Sequence, residues 1–169
     1  MKYILSLLLV LCSTVLMSQK TNAVVKAVHD GDSYKIQFDD SIKTTVWVRL
    51  WGADCPEVVS PHVLKSQDYG VAAGDSMRLI LKGQRVFVDT LYRDAYNRPV
   101  AKIKFKGADI TEYVVSTGKG WYYSSKSMST KNRNKLKSLE AKAKEEKLGL
   151  WALENPIKPS DFRRVNKPR

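Results

Sequence analysis

The stretch SYKIQFDDSIKTTVWVRL, residues 33–50, alternates apolar and polar side chains with period two on both sides of a polar break. Tyr34, Ile36 and Phe38 fall on one face of a strand, and Val46, Val48 and Leu50 fall on one face of the next. DDSIK at 39–43 supplies the turn between them. The alternation extends back to Ala23, which predicts three antiparallel strands at about 23–29, 33–38 and 43–51.

Further along, YGVAAGDSMRLILK (69–82) spaces Ala72, Ala73, Met77, Ile80 and Leu81 at helical intervals, and Gly83 ends the run. VFVDTL (86–91) and PVAKIKFK (99–106) return to strand character, with YRDAYNR as the exposed hairpin loop between them. Residues 110–117 predict a short helix ending at Gly118. Residues 131–149 predict a longer one, with Leu136, Leu139 and Ala143 as its stripe and Gly149 as its stop. The order βββ-α-ββ-α-α points to an α+β chain that is mainly β, a five-stranded OB-fold barrel with three helices, a class whose open face and loops often bind nucleic acid.

Toward the amino terminus, Lys2 is followed by ILSLLLVLCSTVLM and then by polar SQKTN. The apolar run is too short for a comfortable span and reads as a signal peptide over 1–18, followed by a single domain over 19–169 with its core at about 23–164. An exported protein, periplasmic or secreted, is the expectation. A lipid anchor at Cys12 is the lesser alternative, because Leu11 fits poorly before an acylated cysteine. The chain carries a formal charge of +12, and loss of residues 1–18 removes one lysine and no acid, leaving +11. Such a surface favours polyanions, nucleic acid first. Cys55 is then the one remaining cysteine, so no intramolecular disulfide holds the fold.

The charges that interrupt the strand pattern are the chemical signal. The first turn is His29-Asp30-Gly31-Asp32-Ser33, where Gly31 suits a tight bend and D-G-D alone reads as turn chemistry. The third strand, however, runs into Arg49-Leu50-Trp51-Gly52-Ala53-Asp54-Cys55-Pro56-Glu57. A barrel that gathers strand ends sets Asp54 beside Asp32. Two facing carboxylates repel unless a cation lies between them, and Ca²⁺ takes six to eight oxygens at about 2.3–2.6 Å. The Cys55 carbonyl is placed to be one of them. One cysteine with His29 and His62 does not make a transition-metal site. Arg49 needs an anion, either one of these carboxylates or a phosphate. An Arg49–Glu57 salt bridge without catalysis is the alternative, weighed against a second arginine, Arg98, at the end of the DAYNR loop.

DGDS (30–33), RLWGADCPE (49–57), YG (69–70), DAYNR (94–98) and EAKAKEEKLGLWALENPIKPSDFRR (140–164) together resemble the staphylococcal nuclease family of calcium-dependent secreted nucleases. The resemblance spans roughly 23–164. It implies that Asp32 and Asp54 hold Ca²⁺ together with the backbone carbonyl of Cys55, which stands where the family usually has Thr. It implies further that Arg49 and Arg98 grip the scissile phosphate, that Glu57 positions or deprotonates the attacking water, and that Tyr96 contacts the nucleotide. Ala95 and Asn97 depart from the family's Lys and Gly, and Trp121, Tyr122 and Tyr123 do not align cleanly with its paired tyrosines. The implied activity is hydrolysis of DNA and RNA with little sequence preference, favouring single strands and leaving 3′-phosphates. The expected protein is a monomer without a stable protein partner. The competing reading is a catalytically inactive nucleic-acid- or polyanion-binding OB-fold module of the cell envelope. No covalent nucleophile is expected, because no histidine is tied to Cys55.

Overall fold

The structure is a computed structural model that describes residues 19–125 and 128–168. The expected leader, with Cys12, lies outside the described residues. Among the described residues eight strands occur: β1 Gln19–Val28, β2 Ser33–Phe38, β3 Thr45–Leu50, β4 Ala53–Asp54, β5 Arg85–Arg93, β6 Pro99–Phe105, β7 Ala108–Asp109 and β8 Trp121–Tyr122. Within the same described residues four helices join them: α1 Gly70–Leu81, α2 Ile110–Ser116, α3 Thr130–Glu145 and α4 Pro159–Asn166, with a 3-10 turn at Gly149–Ala152.

Strands β3-β2-β1-β5-β6 hydrogen-bond in that order, and a parallel pairing of β3 with β6 closes the sheet into a five-stranded barrel. The closing register sets Arg49 opposite Val100 and Leu50 opposite Ala101. Inside lie Tyr34, Ile36, Val48, Leu50, Val88 and Ile103, each essentially inaccessible. Tyr34, Ile36, Val48 and Leu50 are among the residues that the period-two pattern assigns to the inner face, so burial of that face fixes the strand register. β1 bulges between Val25 and Ala27, and the β5–β6 pairing bulges between Thr90 and Tyr92, which bends both strands around the barrel.

α1 caps the barrel with Ala73, Met77 and Leu81, spaced one turn apart and all buried. Ala72, expected in the same stripe, faces solvent. α3 ends at Glu145, four residues before the expected stop. The chain turns at Lys147, which takes a left-handed φ of 53°, and the Leu148 N–H donates back to the Ala143 carbonyl at 2.9 Å. β1 starts at Gln19 rather than Ala23, because polar Gln19–Asn22 still pair with Phe87–Thr90 of β5. The fourth helix was absent from the sequence expectation. It is eight residues long, begins at Pro159 and buries only Pro159 and Phe162, too few positions to show a helical period.

Beside the barrel mouth, the Cys55 thiol sits between two glycines. An added Cβ at Gly120 would lie 2.6 Å from Cys55 Sγ, and one at Gly31 would lie 2.6 Å from Sγ and 2.8 Å from Cys55 Cβ. Neither glycine has a positive φ. Gly31 is therefore required for space beside Cys55 rather than for a left-handed bend. Both Gly31→Ala and Gly120→Ala should destabilise the protein by about 1–3 kcal/mol through overpacking. A second substitution, Cys55→Ala, should relieve the strain at Gly120, where only the sulfur clashes closely, but not at Gly31, where Cβ meets Cβ. Urea denaturation of the two double-mutant cycles measures this, with a large coupling expected only for the Gly120 pair.

Candidate active site

The β1–β2 turn is held rigidly by its own backbone. Asp30 Oδ1 accepts the Asp32 N–H at 3.0 Å, and the His29 N–H donates to the Ser33 carbonyl at 3.0 Å. The buried Tyr34 hydroxyl donates to the Gly31 carbonyl at 2.5 Å, and the Leu50 N–H donates to the Asp32 carbonyl at 2.8 Å. The side chain of Asp32 is thereby fixed at the barrel mouth, only 3% exposed. Its Oδ1 accepts from Ser33 Oγ at 3.2 Å, and its Oδ2 accepts the Cys55 N–H at 2.9 Å.

Asp54 arrives from β4, which pairs Asp54 with Trp121 of β8. One arginine nitrogen, Arg49 Nη2, lies 2.6 Å from Asp54 Oδ1 and 3.4 Å from Asp32 Oδ2. The two aspartates are therefore neighbours across one guanidinium, as the strand-end argument requires. Arg49 does not pair with Glu57, which contradicts the inert salt bridge kept as an alternative. Glu57 is held instead at its backbone by Gln67, whose Oε1 accepts the Glu57 N–H at 3.3 Å and whose own N–H donates to the Glu57 carbonyl at 2.8 Å. Gly70 permits this approach, since a Cβ there would come within 2.2 Å of the same carbonyl.

A second guanidinium enters from the last helix. Arg163 Nη1 and Nη2 contact Asp54 Oδ1 and Oδ2 at 3.1 and 3.2 Å, and Nη1 also pairs with Glu57 Oε1. Nothing in the sequence assigned Arg163 a role, although it lies in the PSDFRR segment quoted for the family resemblance. Asp30 and Gln67 were likewise unassigned. Asp30 is buried beside Asp32, within the D-G-D pair that reads as turn chemistry.

Arg98 and Tyr96 stand apart from this cluster. Arg98 Nε and Nη2 bind Asp94 Oδ2 at 2.9 and 2.8 Å, while Asp94 Oδ1 accepts the backbone N–H groups of Tyr96 and Arg98. Asn97 adopts φ 60°, a conformation asparagine tolerates better than most residues, so the departure from Gly keeps the turn. Tyr96 is 73% exposed, with the Arg98 guanidinium 5.5 Å from its ring centre and the His62 ring at 6.0 Å. Their turn leads into β6 two residues before Val100, the partner of Arg49, so it borders the same mouth. Trp121 packs edge-on against Trp151 at 4.2 Å with Lys144 above both rings, which makes it part of a structural cluster, whereas Tyr123 is half exposed.

The electrostatics are one-sided. Within the cluster, Asp30, Asp32, Asp54 and Glu57 face the guanidiniums of Arg49 and Arg163, with His29 beside Asp30. Burial raises Asp32 to about 7, with Asp30 and Asp54 adding repulsion against the pull of Arg49. Burial also raises Asp30 and Glu57, the latter against the pull of Arg163. Arg49 is held firmly protonated, chiefly by Asp32. Burial first, and then the neighbouring carboxylates, push the Cys55 thiol well above its ordinary value, so it is inert as a nucleophile. Among the described residues, no group of three or more His, Cys, Asp or Glu side chains forms a metal cage.

Comparison with known proteins matches residues 47–153 to the family described as staphylococcal nuclease homologue. The chain is 30% identical over 159 residues to an uncharacterized endonuclease of Escherichia coli O157:H7, covering 94% of each. The chain belongs to the staphylococcal nuclease family. It is also 30% identical over 164 residues to an uncharacterized endonuclease of Haemophilus influenzae, covering 94% of this chain and 84% of that one. A staphylococcal-like nuclease of Arabidopsis thaliana is 31% identical over 117 residues, 69% of this chain and 33% of the relative. The matched span of the staphylococcal nuclease family holds Arg49, Asp54, Cys55, Glu57, Tyr96 and Arg98, and leaves Asp32 and Arg163 outside it.

The raised Asp32 value has a thermodynamic consequence. The stability that this group contributes is fully present below its ordinary value of 3.8 and is lost as pH rises through about 7, because above that value the fold must hold the charged form. In chelator, Asp32→Asn should therefore raise the melting temperature at pH 8.5, on the order of 5 °C, and raise it clearly less at pH 5, where only the first part of that cost has accrued. Thermal denaturation at the two pH values measures the difference.

Proposed function

We propose that the protein is an exported, calcium-dependent nuclease that hydrolyses phosphodiester bonds of DNA and RNA with little sequence preference. The observation that carries this reading is the pair Asp32 and Asp54, held on one guanidinium at 3.4 and 2.6 Å with Glu57 on the neighbouring arginine. Membership of the staphylococcal nuclease family and the endonuclease names of its bacterial relatives support it.

The residues fit a calcium ion. With all four carboxylates ionised, two guanidiniums leave an excess of about two negative charges in a buried site, which a divalent cation would neutralise. The donors are oxygens, which suits a large hard cation, and backbone and water would complete a shell that two carboxylates begin. Asp32, Asp54 and the Cys55 carbonyl would hold the ion, which when bound supplies Lewis-acid charge at a phosphate oxygen.

The chain's own groups account for the remaining chemistry. An in-line displacement at a phosphodiester builds negative charge on the equatorial oxygens, and Arg49 and Arg98 are positively charged groups set at the mouth to meet it. Glu57, made more basic by burial against the pull of Arg163, would as a carboxylate orient the attacking water or take its proton. Tyr96, exposed beside Arg98, offers a face on which a base can stack. Because no residue of the cluster is arranged to read a base edge or a sugar hydroxyl, DNA and RNA should both be substrates. Flexible single strands should enter more easily than a stiff duplex. The family resemblance adds cleavage on the 5′-oxygen side, leaving 3′-phosphates.

Incubated with single-stranded DNA, the protein should cleave in calcium and not in chelator. Glu57→Gln should lower the rate by several orders of magnitude while nucleotide binding in calcium changes little. Equal turnover in chelator, or a Glu57→Gln rate within about threefold of the parent, which is less than 1 kcal/mol of barrier, would contradict the reading.

A further inference from the structure

Glu57 is controlled at both ends by the last helix, a feature that the family's catalytic signature around 30–98 does not supply. At the backbone end, Gln67 grips the Glu57 N–H and carbonyl and is itself tied to the chain entering α4, its Nε2 donating to the Ile157 carbonyl at 2.6 Å. Gln67 is buried, so this link is shielded from water. At the carboxylate end, Arg163 bridges Glu57 to Asp54, using Nη1 for both acids and Nη2 for the second oxygen of Asp54. Such a planar two-pronged contact fixes orientation as well as distance, which a lone ammonium does not.

The helix that carries Arg163 is anchored independently of it. Phe162 is 8% exposed, Lys65 lies 6.0 Å from the centre of its ring, and the Leu64 N–H donates to the Asn166 carbonyl at 2.9 Å. Residues 57–67 and α4 thus hold each other, and Arg163 projects from a docked helix rather than from a loose tail.

We infer that Arg163 is a positioning residue for catalysis, which sets the Glu57 carboxylate against Asp54, and that docking of α4 on residues 57–67 is required for a competent site. The inference rests on the reading of Glu57 as the acceptor for the attacking water. A group misplaced by about 1 Å can cost on the order of 10²-fold in rate, so the loss of Arg163 should appear in kcat and not in substrate binding.

The test compares the parent with Arg163→Ala, Glu57→Gln and the double variant on single-stranded DNA at saturating calcium. Arg163→Ala should lower kcat about 10- to 100-fold with KM changed less than about threefold, and free guanidinium ion should restore part of the rate. In the Glu57→Gln background, the same substitution should cost less than about threefold, because a residue that acts through Glu57 has nothing left to position. Arg163→Lys, which keeps the charge and the docked helix, should fall between the parent and Arg163→Ala. Hydrogen exchange, read without turnover, should stay parental at residues 57–67 in Arg163→Ala, because the Gln67–Ile157 and Leu64–Asn166 contacts hold the docked helix without it.

Losses that multiply in the double variant, or a raised KM at constant kcat, would place Arg163 on the substrate and overturn the proposal. A faster Arg163→Ala enzyme would make the contact inhibitory and overturn it as well. Parental activity in Arg163→Ala beside an impaired Glu57→Gln would overturn the proposal alone. Parental activity in Glu57→Gln would remove the catalytic reading of Glu57 and the proposal with it.

Discussion

The Arg49 guanidinium is the hinge on which the rest of the molecule turns. It projects from β3 at the point where β3 pairs with β6 and the barrel closes, and its Nη2 lies between Asp54 and Asp32. Removing two carboxylates from water and setting them side by side is costly, and Arg49 between them, with Arg163 on Asp54, offsets only part of that cost. Burial first, and then the repulsion that remains, raises Asp32, and a buried like-charge arrangement of this kind is characteristic of sites that do chemistry rather than of packing.

The surrounding structure serves to keep that arrangement from relaxing. The turn at 29–33 cannot shift, because Tyr34 and Leu50 bond its carbonyls, and Gly31 leaves no room beside the Cys55 thiol. Asp54 is held by the short β4–β8 pairing, and Glu57 by Gln67 and the close passage of Gly70. Charge is thus concentrated by backbone that is already satisfied, which is how a fold can hold a preorganised electrostatic site at low cost during the reaction. The same logic explains why a cysteine serves at position 55: its N–H binds Asp32 while its side chain only fills space between two glycines.

Much of this was legible in the sequence. The inner face of β2 and β3 follows directly from Tyr34, Ile36, Val48 and Leu50, and the meeting of Asp32 with Asp54 follows from strand ends gathered by a barrel. What escaped depends on contacts far apart along the chain. Arg163 lies 109 residues from Asp54, on a helix whose one deeply placed aromatic, Phe162, gives no periodic signal. Gln67 acts through Ile157, 90 residues away. Ala72 shows the opposite failure, where local spacing suggested burial and the direction of the helix axis decided otherwise.

A crystal structure of the protein grown with calcium and a nucleotide tests the charge argument most directly. The excess of carboxylate at the barrel mouth calls for one ion between Asp32 and Asp54, with oxygen ligands at about 2.3–2.6 Å that include the Cys55 carbonyl, and for the nucleotide phosphate on Arg49. A mouth with no ion, in which Asp54 keeps its full pairing to Arg49 and Arg163 at saturating calcium, would show that the arginines alone balance the carboxylates and would contradict the central claim.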